Sequence, residues 1–534
     1  MSTVSGLRLI NLRCLRDTKH IELRPLTFLV GVNSSGKSSF LRFLPLLRQS
    51  VEARTAGPIL WYGHYVDFGN FEETVTADAD PQEIAFEFSV LLEGEKQRRE
   101  LGMHYNRVLY PQVRLRDNTP AKFLLAVNQV DEGRTATKRW LISIFDDEIE
   151  VSLRADGVVN SVKVNGRLLV SAEDNFHLIP EGKIFQQISR DDPAENEEKV
   201  WIYDIEPYPV RLGFFEKMLI ETLQPYFSKS TSITSKLRLI ASIPLGTNEQ
   251  MLESLKSFPQ TTKYWKKHIA SLKVESEDFK TIRCHFLAAR LSALLGTGDR
   301  IITSFAREVR YIAPVRATVE RYYRAQGLAT DEIDAQGKNL AVYLQSLSPF
   351  QQETFSKWTE EQIGFSVKVS ADGDHLSLRL QEVGSRQEFN MTDMGFGFSQ
   401  IMPILAQIWS SNMDRPVVQR GRNVGGLKIV AIEQPELHLH PRLQARVADL
   451  FAASVRQSKS SDTKITIIAE THSEAMINRL GQLVSRGKLD ASDVQIVVFN
   501  KPDPESKTSV SVATFSPDGR LMNWPLGFFL ADEE

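Results

Sequence analysis

The chain has 534 residues, with 64 Lys and Arg against 67 Asp and Glu, so its formal net charge is −3. That balance excludes a polybasic nucleic-acid-coating protein, because non-specific phosphate binding needs an excess of positive charge. With 42% hydrophobic and 25% charged residues the composition is that of a folded globular protein, and the length suits roughly three average domains.

Cys14 and Cys284 are too few for a disulfide framework or a zinc site and suit a reducing compartment. Arg8 and Arg13 interrupt the apolar residues at the N-terminus, so no signal peptide is expected. The longest charge-free stretch, from Met394 to Met413, carries Ser399, Gln400, Gln407 and Asn412 and is too polar to span a membrane. A soluble, cytoplasmic protein is expected.

The first informative element is an apolar run of strand length from Leu26, which leads into Gly31-Val-Asn33-Ser34-Ser35-Gly36-Lys37-Ser38-Ser39. An apolar-periodic helix follows. Strand, G-x-x-x-x-G-K-S loop and helix together make a P-loop. Gly31 and Gly36 permit a tight turn, and the loop amides with the helix N-terminus point at a phosphate. Lys37 is expected to reach the β- and γ-phosphates of ATP, and the Ser38 hydroxyl to hold Mg²⁺. Asn33, Ser34, Ser35 and Ser39 complete the nucleotide-binding candidates.

From Ile84 to Val170 the pattern predicts antiparallel strands, with alternation over Ile84–Leu92 and Arg139–Phe145 and hairpin turns at Asp156-Gly157 and Asn165-Gly166. Arg98, Arg99, Arg107, Arg114 and Arg116 are expected on an exposed strand edge, where charge discourages aggregation. The charged stretch Asp191–Lys199 reads as a loop. Helices dominate from Arg211 to Leu347, punctuated at Pro225, Pro244, Pro259 and Gly296. No heptad pattern persists there, so no long coiled coil is expected.

Arg307, Arg310, Tyr311, Arg316, Arg321, Tyr322, Tyr323 and Arg324 interleave basic and aromatic residues, which suits a nucleic-acid backbone with stacked bases. Pairing of those arginines with Glu308 and Glu320 on a solvated helix face accounts for the same letters. Gly364–Ser370 and His375–Leu380 predict a further hairpin. Next, Asp393-Met-Gly395-Phe-Gly397-Phe-Ser399-Gln400 forms a glycine-rich turn ahead of an apolar helix running from Ile401 toward Trp409, a second anion-binding arrangement.

The run Ile429-Val-Ala-Ile-Glu433 ends in an acid at the carboxyl end of a strand, where α/β sheets place ligands. Glu433 is therefore the expected Mg²⁺-side carboxylate. Gln434 and Glu436 follow it, then His438 and His440, which are expected to pack in the turn rather than bind a transition metal. Ile465–Glu470 is another strand, and His472 beyond it is placed to meet the γ-phosphate. The segments after Glu474 read as finishing strands without the acidic clusters of a Toprim nuclease.

With P-loop and acid strand at opposite ends, the chain is expected to be an α/β protein with a split ATPase head. Its expected divisions are an N-terminal lobe (1–83), a mainly β insertion (84–210), a helical subdomain (211–347) and a C-terminal lobe (348–534). The stretches INLRCLRDTKHIELRPLTFLVGVNSSGKSS, YIAPVRA, DMGFGFSQIMPIL, IEQPELHLHP, AETHSE and NWPLGFF together resemble the ABC-class AAA-type ATPases related to RecF, SMC and OLD proteins. Without an effector domain, the chain is most similar to the PtuA-type ATPases of Septu and retron anti-phage systems.

That resemblance implies a homo-oligomer with composite ATP sites, in which Gly395, Gly397, Ser399 and Gln400 of one copy cap the nucleotide on another. It also implies an HNH nuclease partner of PtuB type and, in retron versions, a reverse transcriptase with its RNA–DNA hybrid. ATP-binding cassettes usually carry glutamate after the acid that ends the strand; here Gln434 stands there. Slow hydrolysis is expected, with Gln434 orienting water and Glu436 either assisting or capping the following turn. A RecF-like DNA-repair ATPase, and less strongly an OLD-like nuclease, are the alternative expectations.

Overall fold

The computed structural model describes residues 3–55, 57–94, 114–131, 133–179, 182–190, 199–200, 210–211, 213–257, 263–317, 319–324, 330, 332–413, 417–419, 422–424, 426–501 and 507–525. They fall into two compact units, one drawn from residues 1–11, 53–59 and 70–304 and the other from 12–52, 60–69 and 305–534.

The second unit carries the P-loop. Its elements in chain order are β1 (Leu26–Gly31), α1 (Lys37–Glu52), β2 (Val309–Ile312), α2 (Phe396–Asn412), β3 (Leu427–Glu433), α3 (Pro441–Lys459), β4 (Lys464–Glu470), α4 (Glu474–Ser485), β5 (Val494–Asn500), β6 (Ser509–Phe515) and β7 (Leu521–Met522). The sheet runs β2-β3-β4-β1-β5-β6-β7. The first five strands are parallel, and β6 and β7 close one edge antiparallel.

All six residues of β1 are buried, as a central parallel strand covered on both faces requires. One apolar core joins Phe28 and Val30 of β1 to Ile432, Ile467 and Ile496 of its neighbours and to Phe451 of α3. This is a mixed α/β unit whose parallel sheet is assembled from both ends of the chain. The longest described helix, α3, has 19 residues, so no long coiled coil exists among the described residues. The hairpin expected after residue 364 is present: Phe365–Asp372 pairs antiparallel with His375–Glu382.

The other unit is built on a meander. Strands Ile84–Leu92, Thr119–Asp131, Arg134–Ile144, Asp147–Leu153, Val159–Val164 and Arg167–Ser171 follow one another antiparallel, and Thr3–Ile10 pairs with the first. Gly157, Asn165 and Gly166 take positive φ at two of its turns, as read from the sequence. Helices Phe214–Leu223, Ile233–Ser242, Asn248–Ser257, Lys263–Ile269 and Glu277–Ala288 belong to the same unit.

The divisions expected at 83, 210 and 347 thus fall elsewhere. The β-rich and helical stretches share one unit, and residues from Phe305 onward join the P-loop unit because β2 is the edge strand of its parallel sheet. Arg98, Arg99, Arg107 and most of the 191–199 loop lie outside the described residues. Arg116 does not decorate a free edge: it pairs with Glu253 at 3.3 Å and donates to Ser254 at 2.9 Å.

Candidate nucleotide site

The P-loop occupies the turn between β1 and α1. Gly31 has φ +155°, and a Cβ there would lie 2.3 Å from the Phe499 carbonyl oxygen; at Gly36, φ +100°, it would lie 2.5 Å from Leu15 Cδ2. Both positions therefore demand glycine. Ser34 takes a left-handed φ of 62° to complete the turn. Lys37 folds back over the loop, its ammonium donating to the Gly31 oxygen at 2.9 Å and the Val32 oxygen at 2.8 Å. Burial lowers its pKa, against the nearby charges of Glu470 and Glu436, which raise it.

Two acids end neighbouring strands, because parallel pairing of β3 with β4 sets Glu433 beside Glu470. Their environments differ. Glu433 accepts from Arg42 Nε at 2.7 Å and Nη2 at 2.8 Å, and from the Tyr311 hydroxyl at 2.6 Å. Glu470 faces the P-loop. It accepts from Ser38 Oγ at 2.9 Å, lies 4.0 Å from Lys37 Nζ, and keeps its second oxygen buried without a partner. Burial is the main cause that raises the Glu470 pKa.

Gln434 turns the chain out of β3 with φ 43°, its N–H donating to the Glu470 carbonyl at 2.9 Å. Arg316 is 2% exposed and donates to the carbonyls of Glu433 at 2.7 Å and Gln434 at 3.2 Å. Its Nε and Nη1 are buried without partners, and burial brings its pKa down to about 10. Glu436 braces the turn after β4: its carboxylate accepts from the His472 N–H at 2.7 Å. Burial first, and the charge of Lys37 second, lower the His472 pKa, leaving a neutral ring at pH 7.

A cavity of about 330 Å³ is lined by Asn33, Ser34, Gly36, Lys37, Ser38, Ser39, Gln434 and His472, together with Arg13, Cys14 and Glu470. The first eight were singled out in the sequence; the last three were not. Glu470 had a signal, a second strand ending in an acid, whereas nothing local marks Arg13 or Cys14. Gly31, Ser35, Glu433 and Glu436 support the cavity without lining it.

Gly395, Gly397, Ser399 and Gln400 do not line it either. Helix α2 starts at Phe396, five residues earlier than the sequence pattern suggests, so Gly397 and Ser399 belong to its opening residues and Gly395 is its N-cap. A Cβ on Gly397 would lie 3.2 Å from the His438 oxygen, which explains a glycine where the helix packs on the turn after β3. Ser399 Oγ donates to the Phe396 carbonyl at 2.6 Å, and Gln400 Nε2 donates to the Arg316 carbonyl at 3.4 Å. His440 caps α3, its Nδ1 accepting from the Arg442 N–H at 3.2 Å, and His438 meets the Phe396 ring at 4.9 Å.

The arginines and tyrosines between 307 and 324 do not share one environment: Arg307, Tyr322 and Arg324 are exposed. Tyr311 and Arg316 are buried beneath the Glu433 turn, and Arg321 pairs with Asp393.

The donor set suits Mg²⁺ with a triphosphate. The Ser38 hydroxyl and the Glu470 carboxylate in the cavity lining are hard oxygen ligands, and the orphaned oxygens of Ser35 and Glu470 lack protein partners.

No curated protein matches the chain. Among solved structures, an SMC head bound to the C-winged helix domain of ScpA is 10% identical, covering 96% of this chain and 98% of that one with a TM-score of 0.32. The Pyrococcus furiosus Smc head with an extended coiled coil, bound to the C-terminal domain of ScpA, is 12% identical over 96% and 97%, with a TM-score of 0.32. The Thermotoga maritima SMC head domain is 9% identical over 96% and 99%, at 0.31. Likenesses this faint add nothing to the fold read from the sheet order. The family described as "AAA domain, putative AbiEii toxin, Type IV TA system" matches residues 26–174 and 255–478. That match spans more than half of the chain and includes the P-loop and both acid-ended strands, so the protein belongs to this family of P-loop ATPases.

Proposed function

We propose that the chain binds and slowly hydrolyses ATP with Mg²⁺, and that occupancy of the site sets how copies of the chain assemble around a separate nuclease. The observation that carries the nucleotide reading is the P-loop geometry: Lys37 and Ser38 share one cavity with Glu470, Gln434 and His472.

In this reading Lys37 exchanges its two loop carbonyls for the β- and γ-phosphates. The loop N–H groups and the α1 N-terminus hold the β-phosphate. Bound Mg²⁺ neutralises developing charge on the phosphates. Gln434 orients the attacking water by hydrogen bonding, since its amide cannot take a proton, and the neutral His472 ring meets the γ-phosphate. Turnover below about 10 s⁻¹ is expected, the typical enzyme value being near that. A faster rate that survives Gln434→Ala overturns this assignment.

The opening of α2 lies apart from the P-loop cavity of its own chain, with Phe396 46% exposed. This supports a composite site in which Gly395–Gln400 caps ATP held by a second copy. ATP then joins copies, and loss of the γ-phosphate loosens them. The resemblance to PtuA-type ATPases, with a family description that names a toxin, supports control of an HNH nuclease in anti-phage defence, with a reverse transcriptase and RNA–DNA hybrid in a retron setting.

The test is mass measurement of the purified chain with ATP, with ADP and without nucleotide, beside Lys37→Ala and Ser399→Arg. Larger assemblies with ATP alone, lost in both variants, are expected. Assembly indifferent to nucleotide overturns the shared-site reading. Mass spectrometry of proteins and nucleic acids retained from the native operon tests the nuclease reading, which fails if no nuclease is retained.

A further inference from the structure

The two acid-ended strands pose a question of assignment. Glu433 ends β3, the position from which a magnesium-side carboxylate is expected. Yet both of its oxygens are engaged: Arg42 grips them bidentately at 2.7 and 2.8 Å, and the Tyr311 hydroxyl adds a bond at 2.6 Å. A carboxylate held by a guanidinium has its charge neutralised, and here three bonds occupy most of its roughly four acceptor sites. Recruiting it to a cation means breaking that pairing at a buried carboxylate and setting the cation beside a like charge, the Arg42 guanidinium, which is costly.

Glu470 stands differently. It ends β4, the strand next to the P-loop strand, and so lies one strand nearer the phosphates than Glu433. One oxygen accepts from the Ser38 hydroxyl at 2.9 Å, while the other is buried without a partner. The side chain is 4% exposed, and the nearest cation, Lys37, holds its ammonium on two carbonyl oxygens of the loop. A buried carboxylate oxygen with no hydrogen-bond partner, beside a P-loop serine, is a hard oxygen donor of the kind Mg²⁺ takes.

We propose that Glu470 is the protein carboxylate that serves Mg²⁺ in this site, directly or through a bound water, and that Glu433 is a positioning residue that fixes Arg42 and Tyr311. The Ser38–Glu470 hydrogen bond already brings together the two groups that would share the ion. The inference rests on the ATP reading of the cavity.

Its test is the affinity for a fluorescent ATP analogue, measured with Mg²⁺ and with EDTA, for wild type, Glu470→Gln, Glu433→Gln and Lys37→Ala. Glutamine at 470 keeps the shape and the acceptor for Ser38 but loses the charge. Wild type is expected to bind more tightly with Mg²⁺. Glu470→Gln is expected to lose about tenfold of that enhancement, with its EDTA affinity preserved. Glu433→Gln is expected to shift both affinities together and leave their ratio in place. An unchanged ratio in Glu470→Gln, or loss of the ratio in Glu433→Gln alone, overturns the assignment while the ATP reading stands. Wild-type binding that is absent or indifferent to Lys37→Ala overturns the ATP reading, and this inference with it. If melting curves show Glu470→Gln unfolded, Glu470→Asp, which keeps the charge and shortens the reach, takes its place: a reduced enhancement supports the proposal, and a full one overturns it.

Discussion

Two buried polar clusters, one in each unit, are finished to different degrees. In the meander unit Arg283 and Asp147 are 2% and 4% exposed and bond to each other. Arg283 also donates to the Gly246 carbonyl at 2.7 Å and approaches Met251 Sδ at 3.4 Å, and Asp147 accepts from Asn165 at 2.8 Å. Neither residue has a polar atom left without a partner. Around the P-loop, by contrast, Ser35 Oγ, Glu436 Oε2, Glu470 Oε2 and two nitrogens of Arg316 are buried and unpaired. A buried polar group without a partner costs free energy that a structural network has no reason to bear. The closed cluster holds the fold together, and the open one is poised for a ligand.

The largest effect is expected where the closed cluster is cut. Asp147→Ala leaves Arg283 buried and uncompensated, and should cost about 3–5 kcal/mol in urea unfolding. A loss under about 1 kcal/mol would mean that the two clusters do not differ as described. Lys37→Ala removes the cation expected at the phosphates, and should lower kcat/KM for ATP about hundredfold, with thermal stability little changed. A collapse in stability instead would show Lys37 to be a keystone of the loop. His472→Ala should lower turnover about tenfold and ATP affinity much less; equal loss of both would reveal a folding role.

The smallest effect concerns pH. His285, whose Nδ1 lies 2.6 Å from Thr222 Oγ1, has its pKa lowered by burial first and by the charge of Arg167 second. The unfolded chain takes up a proton near about pH 6.5 that the folded chain resists, so stability is lost as pH falls from there toward the folded value. His285→Gln should flatten that loss in melting curves recorded at about pH 7.5 and about pH 5.5.

The parts of the site that are local in the chain were legible. Gly31–Ser39 carries its own strand, turn and helix, and the meander turns at Gly157 and Asn165-Gly166 announce themselves. What escaped depends on pairing between distant segments. That Glu470 rather than Glu433 faces Ser38 follows from β4 lying between β3 and β1, which no stretch of sequence displays. Arg42 reads as an ordinary helix residue, yet it holds Glu433 across 391 positions. Arg316 and Tyr311 read as surface letters in a basic cluster because their burial is created by the Glu433 turn. The early start of α2 escaped for another reason: two glycines and a serine argue for a loop until the helix packs against the turn after β3.

The position of β1 has a consequence for how the molecule is made. That strand lies between β4 and β5, which begin at Lys464 and Val494, so both of its neighbours are translated long after Leu26 leaves the ribosome. Its apolar side chains, Leu26, Phe28, Leu29 and Val30, need a temporary shelter through most of synthesis. A product cut short before Lys464 has no lateral partner for the P-loop strand and cannot frame a cavity for nucleotide. Premature termination therefore silences the protein by construction, without any separate check on its length.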